Sequence, residues 1–346
     1  MKSLKNLLRF LQGLKACERL FRHSKFQLKF PEYTRGSAEE AALMKKISKI
    51  ISSKTECLKS ISLEPSSVIQ AKLDLKEEAT SLRSLSLTIN VDEQKNLPFY
   101  FGALIQIQSL MNLTSLTLKF DGKPGLTDEL KLDICHVLSS LHELRYLDLK
   151  FEDCLERNKG HSQLLNRPWL EDAFKAIGKR RKLIYLDLHF WNFDFENSSR
   201  LFSTLSKSLG KLTMLTAFYF QGSHAQSIGD QSVMTLVDNL KKLTKLECIF
   251  LTITKGESYF RSSTFIYLMD CLRNNFPLLS SLTLQFQKFQ VTHECYQSIY
   301  GAIHQMKSLS NLSMIIGGRQ DEGLDMKVLE AEASKRFSGR FFCNPR

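Results

Sequence analysis

The sequence predicts an α/β solenoid in which short parallel strands alternate with helices through about ten stacked units. Three observations predict it. An eight-residue pattern, L-x-x-L-x-L-x-Φ with Φ a large apolar residue, returns along the chain. Within each copy the fourth, sixth and eighth positions are apolar, a period of two that points one face of a strand inward. Between copies the apolar spacing becomes helical, and a lone strand–helix unit of this kind can bury its apolar faces only by stacking on neighbours.

A degenerate first copy begins at His23 (HSKFQLKF), and further copies begin at Leu58, Leu82, Leu113, Leu144, Leu183, Leu215, Leu246, Leu279 and Leu309. Successive starts lie 24 to 39 residues apart. Leu116, Leu118 and Phe120 form one inward triplet, and Leu147, Leu149 and Phe151 the next. The intervening stretches predict helices over 38–52, 97–110, 126–140, 169–179, 197–209, 231–240, 262–274, 293–306 and 324–336. The helix over 126–140 begins near Thr127; Asn197, Asp230 and Thr292 stand where N-caps are needed. The longest unit owes its length to an insertion near 153–168, a surface loop ending at Pro168.

Three segments follow. Residues 1–22 form a basic amphipathic capping helix, with Leu4, Leu7, Leu8, Leu11 and Leu14 on one face. Residues 23–323 form the repeat array, and 324–346 close it. Strands would line the concave side and helices the convex side.

Composition narrows the function. Hydrophobic content of 43% and charged content of 24% are those of a folded globular chain. No apolar run reaches the roughly 18 to 20 residues that a membrane helix needs. Eight cysteines include no C-x-x-C, which argues against a zinc site or a disulfide framework and for reduced thiols inside the cell. The formal charge of +12 suggests nucleic acid at first sight. Yet residues 1–36 hold nine Lys/Arg against Glu18 and Glu32, leaving 39 bases and 34 acids elsewhere. So balanced a body does not suggest a basic stripe. A cytoplasmic protein is expected; the basic N-terminus, acid-free through residue 17, offers mitochondrial targeting as the alternative, or contact with an anionic membrane.

At this point the chain resembles the leucine-rich-repeat superfamily in its helix-rich, ribonuclease-inhibitor-like form. It looks like the long K-x-L-T-x-L repeats abundant in ciliates and other protists. Residues 227–251 carry the strand-to-helix linker, Ile228-Gly229-Asp230, that the resemblance leads one to expect. The likeness spans about residues 20–335 and implies a binding scaffold of horseshoe form, without naming its partner. One feature departs from the family: Asn or Cys at the ninth position is met only by Asn90, whereas Asp121, Glu152, Trp191, Thr254 and Gln287 stand elsewhere. Phe or Ile recurs at the eighth, from Phe30 to Ile316, and an aromatic spine is expected to hold the turn.

Positions three, five and seven of each strand face away from the helices. They are small and polar in the early and late units. In the middle they become Tyr146, Asp148, Lys150, then Tyr185, Asp187, His189, then Tyr219, then Phe250, with Trp191 at the rim. Exposed aromatics with a few charges are what protein interfaces use as anchors. These nine residues are the expected protein-binding patch; the rival reading is that rings on strands lean over their neighbours. An architectural subunit of a large assembly and a regulator of a partner enzyme are alternative roles. Asp148, Asp187 and His189 could compose an acid–base set, but on an open face with no recognisable nucleophile. No cofactor or metal is expected. The run Gly178-Lys179-Arg180-Arg181-Lys182 suits a helix C-terminus, and Gly317-Gly318-Arg319-Gln320 a turn.

Overall fold

The computed structural model describes residues 60–63, 82–90, 97–122, 126–152, 168–191, 199–222, 228–253, 260–286, 291–318, 321, 324–337 and 341–345. The capping helix 1–22, the copy at His23, the helix 38–52, the insertion as far as Arg167 and Asn197 lie outside these. The chain divides into two compact units, Met1–Asn158 and Lys159–Arg346.

Unit 1 contains strands β1 (Ser60–Leu63), β2 (Ser84–Asn90), β3 (Ser115–Asp121) and β4 (Tyr146–Glu152), with helices α1 (Leu97–Gln108) and α2 (Asp128–Ser140). The strands pair in parallel and in sequence order, in register: Ser60 with Ser84, Ser84 with Ser115, Ser115 with Tyr146. Thr127 caps α2 as its sequence suggests, its hydroxyl accepting the Leu130 N–H at 3.3 Å. Past β3 the chain turns at Gly122, whose φ of 103° lies where a side chain would strain the backbone.

Unit 2 opens with α3 (Pro168–Ile177), Pro168 standing where its missing N–H is not needed. It continues through β5 (Tyr185–Phe190), α4 (Ser199–Leu209), β6 (Ala217–Gly222), α5 (Asp230–Leu240), β7 (Cys248–Ile253) and α6 (Ser262–Asn275). It ends with β8 (Ser281–Phe286), α7 (His293–Gln305), β9 (Asn311–Gly318), α8 (Met326–Arg336) and β10 (Phe341–Pro345). The six strands again pair in parallel and in order. The segment 324–346 thus supplies α8 and a further strand. Gly317 and Gly318, expected in a turn, are the last residues of β9.

Each of the nine motif copies from Leu58 onward becomes a strand, and each strand starts at the motif's third position. Burial alternates as the period of two requires: in β5 and β6 every second residue is buried. The Leu at positions one, four and six are nearly solvent-free, among them Leu183, Leu186 and Leu188 at 0% exposure. Truncating any one to Ala would cost about 2–5 kcal/mol.

The expected aromatic spine holds in part. Phe120 and Phe151 stack with ring centroids 5.1 Å apart and planes nearly parallel. In unit 2 the register puts Gly222 beside Phe190, so Phe190 instead meets Phe220 at 6.1 Å. Ile253 follows, and Phe286 packs edge-on against Phe265 of α6 and against Phe260, which precedes that helix.

A hydroxyl ladder on the opposite edge does part of the turn-holding. Thr216 Oγ1 donates to the Ile184 carbonyl at 3.0 Å, Ser280 Oγ to Glu247 at 3.1 Å, and Ser310 Oγ to Ser280 at 3.0 Å. Thr114 does the same to Arg83 in unit 1. All four donors occupy the motif's second position. Where the second position is Thr or Ser, its hydroxyl thus ties a helix-to-strand turn to the preceding one.

Asp230 was expected to cap its own helix. Instead Gly229 holds the N-cap of α5 without a side-chain bond. The Asp230 carboxylate reaches the next unit, where Oδ1 accepts the Arg261 N–H at 3.0 Å and the Thr264 hydroxyl at 2.6 Å. Arg261 stands at the N-cap of α6 and has no capping oxygen, so Asp230 supplies one from outside. Thr292 caps α7 as expected.

Candidate functional site

In-register parallel pairing arranges the outward side chains of unit 2 in rows across the strands. The first is Tyr185, Ala217, Cys248, Ser281, Asn311; the second is Asp187, Tyr219, Phe250, Thr283, Ser313. The third is His189, Gln221, Thr252, Gln285, Ile315. Neighbouring strands sit about 4.8 Å apart, so rings on adjacent strands must touch.

They do. Tyr219 and Phe250 stack at 6.0 Å with planes 29° apart, and Tyr185 leans across to Tyr219 at 5.2 Å. All three rings are half-buried, each covered by its neighbours and open above. The Cys248 thiol donates to the Tyr219 oxygen at 3.1 Å. Burial, the thiol and the nearby Asp187 carboxylate together push the Tyr219 phenol up to about 12, burial being the largest influence. Its hydroxyl therefore stays protonated and polar without becoming charged. His189 meets Trp191 edge-on at 5.9 Å, and Trp191 is 45% exposed at the end of β5. Of the nine patch residues, unit 2 thus joins Tyr185, Asp187, Tyr219 and Phe250 in one cluster and sets His189 with Trp191.

Unit 1 holds the other three. Tyr146 is 46% exposed at the start of β4. Asp148 and Lys150 pair with each other, Lys150 Nζ lying 3.1 Å from Asp148 Oδ2, as the alternation of charges implies. Lys119 lies beside Lys150 in register and is matched by Glu152 at 2.8 Å. The early strand faces show the small polar residues expected of them.

The rings do lean on each other across the strands, as the packing reading expects. That packing fixes them in place while leaving their upper surface exposed, and a side chain already ordered loses less entropy on binding. Cys248 is the residue that sequence reasoning passed over. Nothing in its local pattern marks it; only the register brings it to Tyr219. Cys135, Cys248, Cys271 and Cys295 are free thiols. Among the described residues no group of three or more His, Cys, Asp or Glu could hold a metal ion. No helix among them is long and apolar enough to cross a membrane. No protein-family model matches the chain, and no curated protein matches it.

Proposed function

We propose that the chain is a leucine-rich-repeat solenoid of about ten units, a cytoplasmic scaffold without catalytic activity of its own, and that its open sheet face binds a protein partner. One observation carries the reading: a stacked, half-exposed row of Tyr185, Tyr219 and Phe250 on the side of the sheet away from the helices. Ordered aromatic rings flanked by a carboxylate and an exposed Trp are the composition of an interface centre. The regular third-position strand starts and the Thr/Ser hydroxyl ladder support the repeat assignment.

Photo-crosslinking in cells tests the binding face. A benzophenone amino acid at position 250 is expected to give one adduct of defined mass, whereas the same probe at Lys175, exposed on α3, gives none. Equal adducts at both positions, or none at 250, count against the open face. Thr283→Arg provides a second test, placing bulk and charge beside Phe250 in register without removing a ring. It should abolish the adduct while leaving the circular dichroism unchanged.

A further inference from the structure

Five helix-to-strand turns of unit 2, residues 178–184, 210–216, 241–247, 276–280 and 306–310, line one edge. Backbone bonds hold successive turns together: Thr216 N–H to Ile184, Glu247 N–H to Thr216, Ser280 N–H to Glu247 and Ser310 N–H to Ser280, at 2.8 to 2.9 Å. Those turns hold nine Lys/Arg and one acid, Glu247. By sequence alone, the strand-to-helix connections carry six acids and four bases. The near balance of the body therefore conceals a segregation, and the absence of a basic stripe expected from the totals does not hold for this edge.

Lys179, Arg181, Lys211, Lys242, Lys245 and Lys307 are exposed, and among the described residues none belongs to an ion pair. Helix dipoles account for cations in a last turn, and their field fades within that turn. They do not account for Lys245, five residues beyond the end of α5 and next to β7. Apolar groups share the edge: Met214 is 43% exposed and Leu278 51%. The Lys245 ammonium lies 3.2 Å from the Met214 sulfur, so charge and apolar surface interleave.

We propose that this edge is a docking ledge for an acidic protein segment bearing apolar side chains, separate from the open face. Charge complementarity sets the sign of the partner. The interleaved Met214 and Leu278 favour a peptide over a nucleic acid, whose bases would stack on exposed rings. The only aromatic in these turns is Phe276, 4% exposed. Five turns at strand spacing cover about 19 Å, the reach of roughly six extended residues.

The test is fluorescence anisotropy on the full chain with three labelled probes: a twelve-residue peptide alternating Glu and Leu, a twelve-residue oligoglutamate and a twelve-nucleotide oligouridylate. The alternating peptide is expected to bind tightest. Lys211→Glu with Lys245→Glu should weaken it at least tenfold, and Met214→Gln with Leu278→Gln at least threefold, with far-UV circular dichroism unchanged. Phe250→Ser should leave this binding intact. Binding indifferent to the ledge substitutions would belong to the basic residues 1–36 and overturn the proposal. Oligoglutamate bound as tightly as the alternating peptide would overturn it too. Tighter, ledge-dependent binding of oligouridylate would make the edge a nucleic-acid site instead.

Discussion

A methyl group added at Gly178 has no room. Its ideal Cβ would lie 2.9 Å from the Ser208 Cβ and 3.0 Å from the Ser208 Cα. Carbon atoms in contact prefer about 3.5–4.0 Å, so an overlap of more than half an ångström must be relieved. Half of it is against backbone, and Ser208 is only 3% exposed, so no side-chain rotation clears the site. Overpacking of this kind costs about 1–3 kcal/mol, and the restricted unfolded chain returns about 0.4–1 kcal/mol. Gly178→Ala should therefore lose about 1–2 kcal/mol. Gly102, within α1, is the control: nothing lies within 4 Å of its Cβ position. Gly102→Ala should gain up to about 1 kcal/mol from helix propensity. With a urea dependence of about 2 kcal/mol/M, the unfolding midpoint falls by about 0.5–1 M in the first variant and rises in the second. Far-UV circular dichroism through a urea series measures both. A Gly178→Ala midpoint at or above the parent's would refute the close approach between successive helix ends.

Three further outcomes follow from single contacts. Thr216→Val removes one rung of the hydroxyl ladder and keeps the shape; it should cost about 1 kcal/mol in urea unfolding. Asp230→Ala deprives the Arg261 N–H and the buried Thr264 hydroxyl of their shared acceptor, so a loss of about 1–3 kcal/mol is expected, with Asp230→Asn intermediate in the same denaturation assay. Tyr219 has a folded-state pKa of about 12 against 10.0 for a free phenol, so the neutral form is favoured in the folded protein. Its contribution is fully present below pH 10 and is lost as pH rises from 10 toward 12; the phenolate absorbance titration of the parent should lose one late-ionising tyrosine in Tyr219→Phe.

The repeat was readable in the sequence because its physics is local. Period-two Leu positions can serve only a strand with one buried face, and the third-position starts of β2 through β9 follow from that alone. Among the described residues, helix boundaries fell within two residues, since the apolar spacing and caps such as Thr127 and Thr292 act within one turn. Asp230 shows where local reading stops. By sequence its position suited an N-cap, yet it is the first residue of α5, and the acceptor-poor start of α6, 31 residues later, takes its carboxylate. The aromatic spine fails at Gly222 for a similar reason, as the register rather than the motif decides which ring meets Phe190. The cluster at Tyr219 was half legible: alternation placed Tyr185, Asp187 and Phe250 on the open face, but only pairing brought the Cys248 thiol to the phenol. The basic edge was hidden altogether. Its charges come from turns about thirty residues apart, four from 178–184, three from 241–247 and one each from 210–216 and 306–310, and each group resembles an ordinary helix end.

The central claim is that the open face of unit 2 recognises a protein. Quantitative affinity purification of the tagged full chain from its native cells tests it most directly, with the parent beside a Tyr185→Ser, Phe250→Ser variant of unchanged circular dichroism. One partner near stoichiometric amounts is expected with the parent, and at least a tenfold loss with the variant. A partner retained in full by the variant would contradict it.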